Sequence, residues 1–269
     1  MSASSPSSIT PVSPAQSEMR RLAEATRVLE APSSGTLASR LVSAYATLRD
    51  AKRPTAARAG AARAIQLGTA QLLAQPDWRA PALASLRGAD RTSAQAILDA
   101  GDELAVLGDE VDGTPKWQIF APEPAETLLA HYHEGERSYG IPWPYLAAIN
   151  LVETAMGRIH GLSVAGAQGP MQFMPATWAT FGRGDVNDPH DSILAAARYL
   201  HASGGPGDMD AAIYAYNRSH HYVRAVDVFA SQVATDPDAF LLYYNWDVVV
   251  PTGAGPALIP QGWVAPQQP

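Results

Sequence analysis

The sequence predicts a mainly α-helical protein with a small β-hairpin toward its C-terminal end. Three observations carry this expectation. From Glu18 to about Leu107 the chain is built from Ala, Leu and Arg with few glycines, in stretches that suit amphipathic helices. Tyr145 to Met156 reads as a helix that is apolar on nearly every side, and therefore buried. Aromatic and β-branched residues in strand-like order are confined to Lys116–Phe120 and Phe240–Val250.

The bulk properties bound the function. The 269 residues are 46% hydrophobic and 17% charged, which describes a globular chain of one main domain with a smaller appendage. A formal charge of −7 argues against nucleic acid as a partner. The absence of cysteine excludes disulfides and thiolate metal sites. No apolar run approaches the ~18 residues of a transmembrane helix. The opening Met1–Pro14 is rich in Ser, Pro and Thr and lacks the basic and apolar regions of a secretory signal.

Taken in order, residues 1–17 are expected as a disordered tail. Helices are expected over Ser17–Glu30, Thr36–Asp50, Pro54–Ala74 and Thr92–Leu107, with breaks at Pro32–Gly35, Pro54, Pro76 and Gly88. The arginines in this region read as solvated faces, and no chemistry is assigned there. Asp109–Pro115 is a turn-rich connector, Lys116–Phe120 alternates as a strand, and Pro122-Glu-Pro124 opens a helix that runs to about Tyr139. His131 and His133 lie two positions apart on that helix and do not share a face, so no metal pair is expected.

The helix from Tyr145 to Met156 carries the one residue that points to chemistry. Pro142 and Pro144 suit its first turn, where a missing N–H costs nothing. Gly157 is the expected stop. Glu153 falls among Leu146, Ile149 and Met156, with Asn150 one turn earlier on the same side. Burial and the negative end of the helix dipole both disfavour the carboxylate, so its pKa should rise toward that of a general acid at neutral pH. The helix alone leaves a second reading open, a Glu that frays into solvent and pairs with Arg158.

Glycines at 157, 161, 166 and 169 then imply either positive φ angles or close approach of a ligand to the backbone. Their spacing matches neither a Walker loop nor a dinucleotide fingerprint. Pro175–Phe181 is expected as a short helix, and a longer one follows with Asp188 as N-cap, Pro189 at the first position and Asp191 in the first turn. Asp185 lies in a polar turn. Helices are expected over Met209–Asn217 and Ser219–Ala234. A hairpin is expected around Gly253-Ala-Gly255, pairing with residues 116–120, followed by a loose tail from Pro260.

Four segments in this order resemble the lytic transglycosylases: Leu151-Val-Glu153-Thr-x-x-Gly157, Gly166-Ala-Gln-Gly-Pro-Met-Gln-Phe-Met-Pro-Ala-Thr-Trp178, Asn187-Asp-Pro-x-Asp191 and Tyr214-Ala-Tyr-Asn-Arg-Ser219. They cover about residues 123–235. Thr154 stands where the family often has Ser. Arg218-Ser219-His-His-Tyr222 replaces the small residue and Gly usual in the soluble members, so that Asn-x-Ser-x-x-Tyr looks closer to the membrane-bound branch.

The resemblance implies a lysozyme-like domain over residues 113–235, between a helical extension at 18–112 and a hairpin and tail at 236–269. It implies cleavage of the β-1,4 bond between N-acetylmuramic acid and N-acetylglucosamine in bacterial peptidoglycan, outside the cytoplasm and without metal or cofactor. Glu153 would be the catalytic acid and base. Met171, Gln172 and Phe173 would line the glycan groove, although Met171 and Phe173 also suit a hydrophobic core. Tyr216 and Asn217 would lie in the cleft beside Glu153, with Asn217 bonding the substrate or the carboxyl group.

Overall fold

The computed structural model describes residues 14–108, 117–252 and 255–265. The connector expected at Asp109–Pro115 and most of the expected N-terminal tail lie outside those residues. The N-terminal half is helical: α1 (Pro14–Arg27), α2 (Ser34–Arg49), α3 (Thr55–Ala74), a 3₁₀ turn (Pro76–Trp78), α4 (Arg79–Ser85) and α5 (Gly88–Ala105). Ser33 caps α2 by accepting the Thr36 N–H on its side-chain oxygen. Helix α4 fills what reads from the sequence as a gap between two proline and glycine breaks. Helix α1 starts inside the segment expected as a tail.

The second half contains α6 (Ala125–Tyr139), α7 (Trp143–Thr154), α8 (Pro175–Phe181), α9 (Pro189–Ala202), α10 (Met209–Tyr216), α11 (His220–Thr235) and α12 (Ala239–Tyr244). Helix α7 is the centre, with α6, α9 and α11 packed around it. Leu146, Ala147 and Ile149 are fully inaccessible, as a helix apolar on every side requires. Asp188 caps α9 and accepts the Asp191 N–H at 3.0 Å, as its spacing before Pro189 predicts.

The two halves share one hydrophobic core. Tyr45, Ile65, Leu72 and Leu98 of the first belong to the same cluster as Leu146, Ile193, Val226 and Tyr243 of the second. Helix α5 lies along α11, and α3 along α12. Arg49 at the end of α2 reaches Asp90 of α5 and Asp236 beyond α11, while Arg58 of α3 reaches Asp238. These partly buried, branched pairs tie the halves together more firmly than isolated surface pairs would.

Two small antiparallel sheets complete the architecture. Strand β1 (Gln118–Ile119) pairs with β2 (Ile159–His160), and β3 (Val248–Val250) with β4 (Ala257–Ile259). The hairpin therefore forms where expected, but it does not add to β1. Strand β1 bonds instead to the segment just past the hairpin: Ile119 N–H donates to the Trp263 carbonyl at 2.9 Å and Ala265 N–H to the Trp117 carbonyl at 3.1 Å. The stretch expected to be a loose tail from Pro260 is thus anchored through residue 265, with Trp263 buried beside Met19, Leu22 and Ile259. Helix α1 covers this sheet, and Thr26 accepts the Leu258 N–H at 2.8 Å. Residues 239–244 are helical despite their aromatic, strand-like composition. Packing decided there, since Leu242 and Tyr243 bury against Phe229 and α3.

The glycine-rich stretch follows the first of its two expected readings: Gly157, Gly161, Gly166 and Gly169 all have positive φ. Gly169 is the most constrained, because a Cβ at that position would overlap the backbone carbonyl of Val186, which cannot step aside cheaply. Gly169→Ala is therefore expected to destabilise the fold by at least about 2 kcal/mol. Urea unfolding measures this, and a midpoint equal to that of the wild type would show that the loop is free to reorganise.

Candidate active site

Glu153 occupies the last turn of α7, and its surroundings follow from how that turn ends. The helix stops at Thr154, earlier than the glycine would suggest, because Ala155 and Met156 already adopt left-handed conformations with φ of 51° and 63°. The Ala155 and Met156 N–H groups turn back onto the Leu151 and Asn150 carbonyls, the paired bonds of a Schellman-type helix end. Two non-glycine residues at positive φ mark local strain next to the carboxyl-bearing turn.

Asn150 and Thr154 are almost fully buried, and both bond across to the loop. Asn150 Nδ2 donates to the Pro170 carbonyl at 2.9 Å and Thr154 Oγ1 donates to the same oxygen at 2.6 Å. Asn150 Oδ1 in turn accepts the Tyr132 hydroxyl at 2.7 Å. The loop is held against α7 by these bonds, and its own strands close it: Gln168 and Phe173 exchange both backbone bonds.

Glu153 itself is half-buried. The Tyr222 hydroxyl of α11 donates to its Oε1 at 2.5 Å. Burial pushes the Glu153 carboxyl up to about 7, against the smaller opposing pull of the Tyr222 hydrogen bond. Burial, and then the nearby Glu153 charge, hold the Tyr216 and Tyr222 hydroxyls well above the usual tyrosine range, so both remain donors. Arg158 does not pair with Glu153. Its guanidinium donates to the Ala155 and Tyr244 carbonyls, which disposes of the frayed-glutamate alternative.

The other expected site residues separate into two groups. Tyr216 lies beside the loop: its hydroxyl donates to the Met171 carbonyl at 2.6 Å, and its ring meets Phe173 and Tyr199. Gln172 is half-buried at a φ of 50°, with its Nε2 folded onto the Gly169 carbonyl. The side chains of Met171 and Phe173 do not line an open groove. They are 0% and 2% exposed and belong to the core, supporting the loop from beneath. Asn217 is exposed at the end of α10; the bond to Glu153 comes from Tyr222 instead. Tyr222 is the residue that sequence reasoning missed as a site member, since its apolar helix neighbours give it the signature of core.

Two further groups of acids are near enough to weigh. Asp188, His190 and Asp191 could bring ligand atoms within 4.8 Å of one another. Asp188 and Asp191 already accept backbone N–H groups, from Asp191 and Asp185, so the group reads as the capping of α9. Asp227 of α11 is half-buried, and burial followed by the Asp210 charge pushes it up to about 6. It sits against Tyr145, which precedes Glu153 in α7 by two helical turns, about 12 Å of rise.

Residues 131–230 match the family model of the transglycosylase SLT domain, a lysozyme-like domain of peptidoglycan lytic transglycosylases. No curated protein and no solved structure matches the chain. The matched segment runs from the middle of α6 to near the end of α11 and contains Glu153, the loop, Tyr216 and Tyr222.

The raised carboxyl has a consequence for stability. Folded Glu153 keeps its proton up to about pH 7, whereas the unfolded group releases it near 4.5, so folding is progressively penalised as pH rises between those values. Glu153→Gln removes that penalty and can still accept from Tyr222. Relative to wild type, the variant should gain about 1–3 kcal/mol on going from pH 4 to pH 8. Denaturant midpoints at the two pH values test this, and an equal difference at both would mean that the carboxyl is not perturbed.

Proposed function

We propose that the protein is a lytic transglycosylase that cleaves the β-1,4 bond between N-acetylmuramic acid and N-acetylglucosamine in peptidoglycan, with Glu153 as the sole catalytic carboxyl. The observation that carries this reading is one half-buried carboxyl that accepts the Tyr222 hydroxyl and is pushed up to about 7 by burial, inside the segment that matches the transglycosylase domain. A group with that pKa is divided between acid and base near neutral pH, as a residue that gives and then retakes a proton requires.

Most glycosidases use two carboxyls about 5–9.5 Å apart. Asp185 accepts the Asn187 N–H, Asp188 and Asp191 are engaged in capping, and Asp227 lies with Tyr145 at the far end of α7. A one-carboxyl site works if the substrate brings its own nucleophile. Glu153 donates its proton to the glycosidic oxygen as the C1–O bond breaks. The C6 hydroxyl of the same muramoyl residue then closes onto C1, and the Glu153 carboxylate takes the hydroxyl proton. The product is a 1,6-anhydromuramoyl end, and no water is consumed. Pre-alignment of O6 supplies the entropic advantage of an intramolecular attack.

Tyr222 orients the carboxyl and stabilises its ionised form, while Tyr216 fixes the loop through the Met171 carbonyl. Gln172, half-buried, and Asn217, exposed, are the candidates for direct contact with sugar. A substrate of this kind places the site of action outside the cytoplasm.

Digestion of purified sacculi followed by mass spectrometry tests the reading. Muropeptides lighter than reducing ends by one water are expected, and mainly reducing ends would mean hydrolysis and a second carboxyl. Glu153→Gln should lower the rate by at least about 10²–10⁴-fold while glycan binding persists. Because the acid form of Glu153 starts the reaction, kcat/KM should fall as pH rises through about 7. A profile flat from pH 6 to 9 would assign the proton donor elsewhere.

A further inference from the structure

Tyr222 meets Glu153 from the first turn of α11, so the position of that turn sets the geometry of the acid. The contacts that fix the turn come partly from outside the segment matching the transglycosylase domain. Glu103, in the last turn of α5, accepts from Arg224 through both oxygens, Nε to Oε1 and Nη2 to Oε2, each at 2.7 Å. His221 Nδ1 lies 2.7 Å from the same Oε2 and 2.9 Å from Arg224 Nη2, so the three side chains form one cluster. Arg224, and then His221, hold the Glu103 carboxyl down at about 2, so it is ionised at any pH where the fold is expected to work.

These bonds grip the residues on either side of Tyr222. On the chain end of the turn, Ser219 Oγ accepts the His221 N–H at 3.2 Å. The Tyr222 ring is buried, which couples the place of its hydroxyl to that of α11. A side chain clamped at two flanking positions by a fork of charge-assisted bonds restrains rotation of the helix about its axis. A hydroxyl-to-carboxyl contact as short as 2.5 Å is sensitive to such rotation.

We propose that Glu103 is a positioning residue for the catalytic acid: by clamping His221 and Arg224 it fixes the first turn of α11, and with it the Tyr222 hydroxyl on Glu153. Helix α5, which on composition alone has no chemistry, thereby becomes part of the active site. The inference rests on the reading of Glu153 as the acid.

The test compares Glu103→Ala, Tyr222→Phe and the double variant in the full chain. One measurement is the Glu153 titration midpoint by ¹³C-carboxyl NMR, which needs no turnover. The hydroxyl-bearing groups facing that carboxyl are Tyr216 of α10 and Tyr222 of α11. Losing the donated bond should raise the midpoint by roughly half a unit in Glu103→Ala and at least as far in Tyr222→Phe. The other measurement is initial rate on sacculi, where Glu103→Ala should lower kcat about tenfold with KM changed by less than about twofold. The double variant should match Tyr222→Phe alone in both measurements, because the clamp acts only through that hydroxyl.

Glu103→Gln keeps an acceptor for Arg224 and should retain most of the rate. If Glu103→Ala does not fold, Arg224→Gln carries the same two measurements. A wild-type midpoint and kcat in the clamp variant would overturn the proposal, as would losses that simply add in the double variant. A merely structural role would lower the melting temperature and leave the midpoint in place. Failure of the wild type to release muropeptides would instead reject the proposed function, with the NMR arm still deciding whether the clamp orients Tyr222.

Discussion

A single backbone oxygen, the carbonyl of Pro170, holds the glycine-rich loop against α7. It receives one hydrogen bond from Asn150 and one from Thr154, the two buried polar side chains of an otherwise apolar helix face. Withdrawal of the loop would take two hydrogen bonds from that carbonyl at once, leaving Asn150 and Thr154 only their bonds to each other, to Tyr132 and to the Gly157 N–H. The loop reaches this position only by turning through positive φ at Gly169 and Gln172. The strain at the end of α7 and the strain in the loop are therefore two sides of one joint, with Glu153 seated between the two residues that form it.

Two effects compete at Glu153, and their order decides the chemistry. Desolvation favours the neutral acid, and the Tyr222 hydroxyl favours the anion. Were the hydrogen bond the larger, the group would be a permanently ionised carboxylate, able to take a proton but not to give one. Burial prevails without eliminating the other effect, which leaves the group close to neutrality and able to act in both directions.

Much of this was legible in the amino-acid order. The apolar surround of α7, the carboxyl within it, the capping of α9 by Asp188 and the positive φ of the glycines all follow from local patterns of a few residues. What escaped depends on contacts distant in sequence. Tyr222 joins Glu153 across most of the second half of the chain, and its own helix gives it the periodicity of a core residue. Phe240–Tyr244 has strand-forming composition but is helical, because Leu242 and Tyr243 find their burial against α3 and α11. Met171 and Phe173 sit in a segment recognisable as groove-forming, yet both side chains turn into the core, while Gln172 is half-buried and Met174 exposed. The anchoring of residues 262–265 to β1 had no local signal, since the bonds are between backbone groups.

The way α5 lies along α11 separates two boundaries that are easily confused. The stretch recognisable by family likeness begins within α6 and ends within α11, but the cooperative unit does not. Excising residues 131–230 would strip α11 of the helix that covers it, expose a shared core to water and release both ends of the ion-pair ties at Arg49 and Arg58. A minimal catalytic fragment cut to the limits of similarity would therefore behave as a broken half of a larger folding unit. A fragment that keeps this shared core whole has to begin upstream of α5, where the sequence bears no mark of the family likeness.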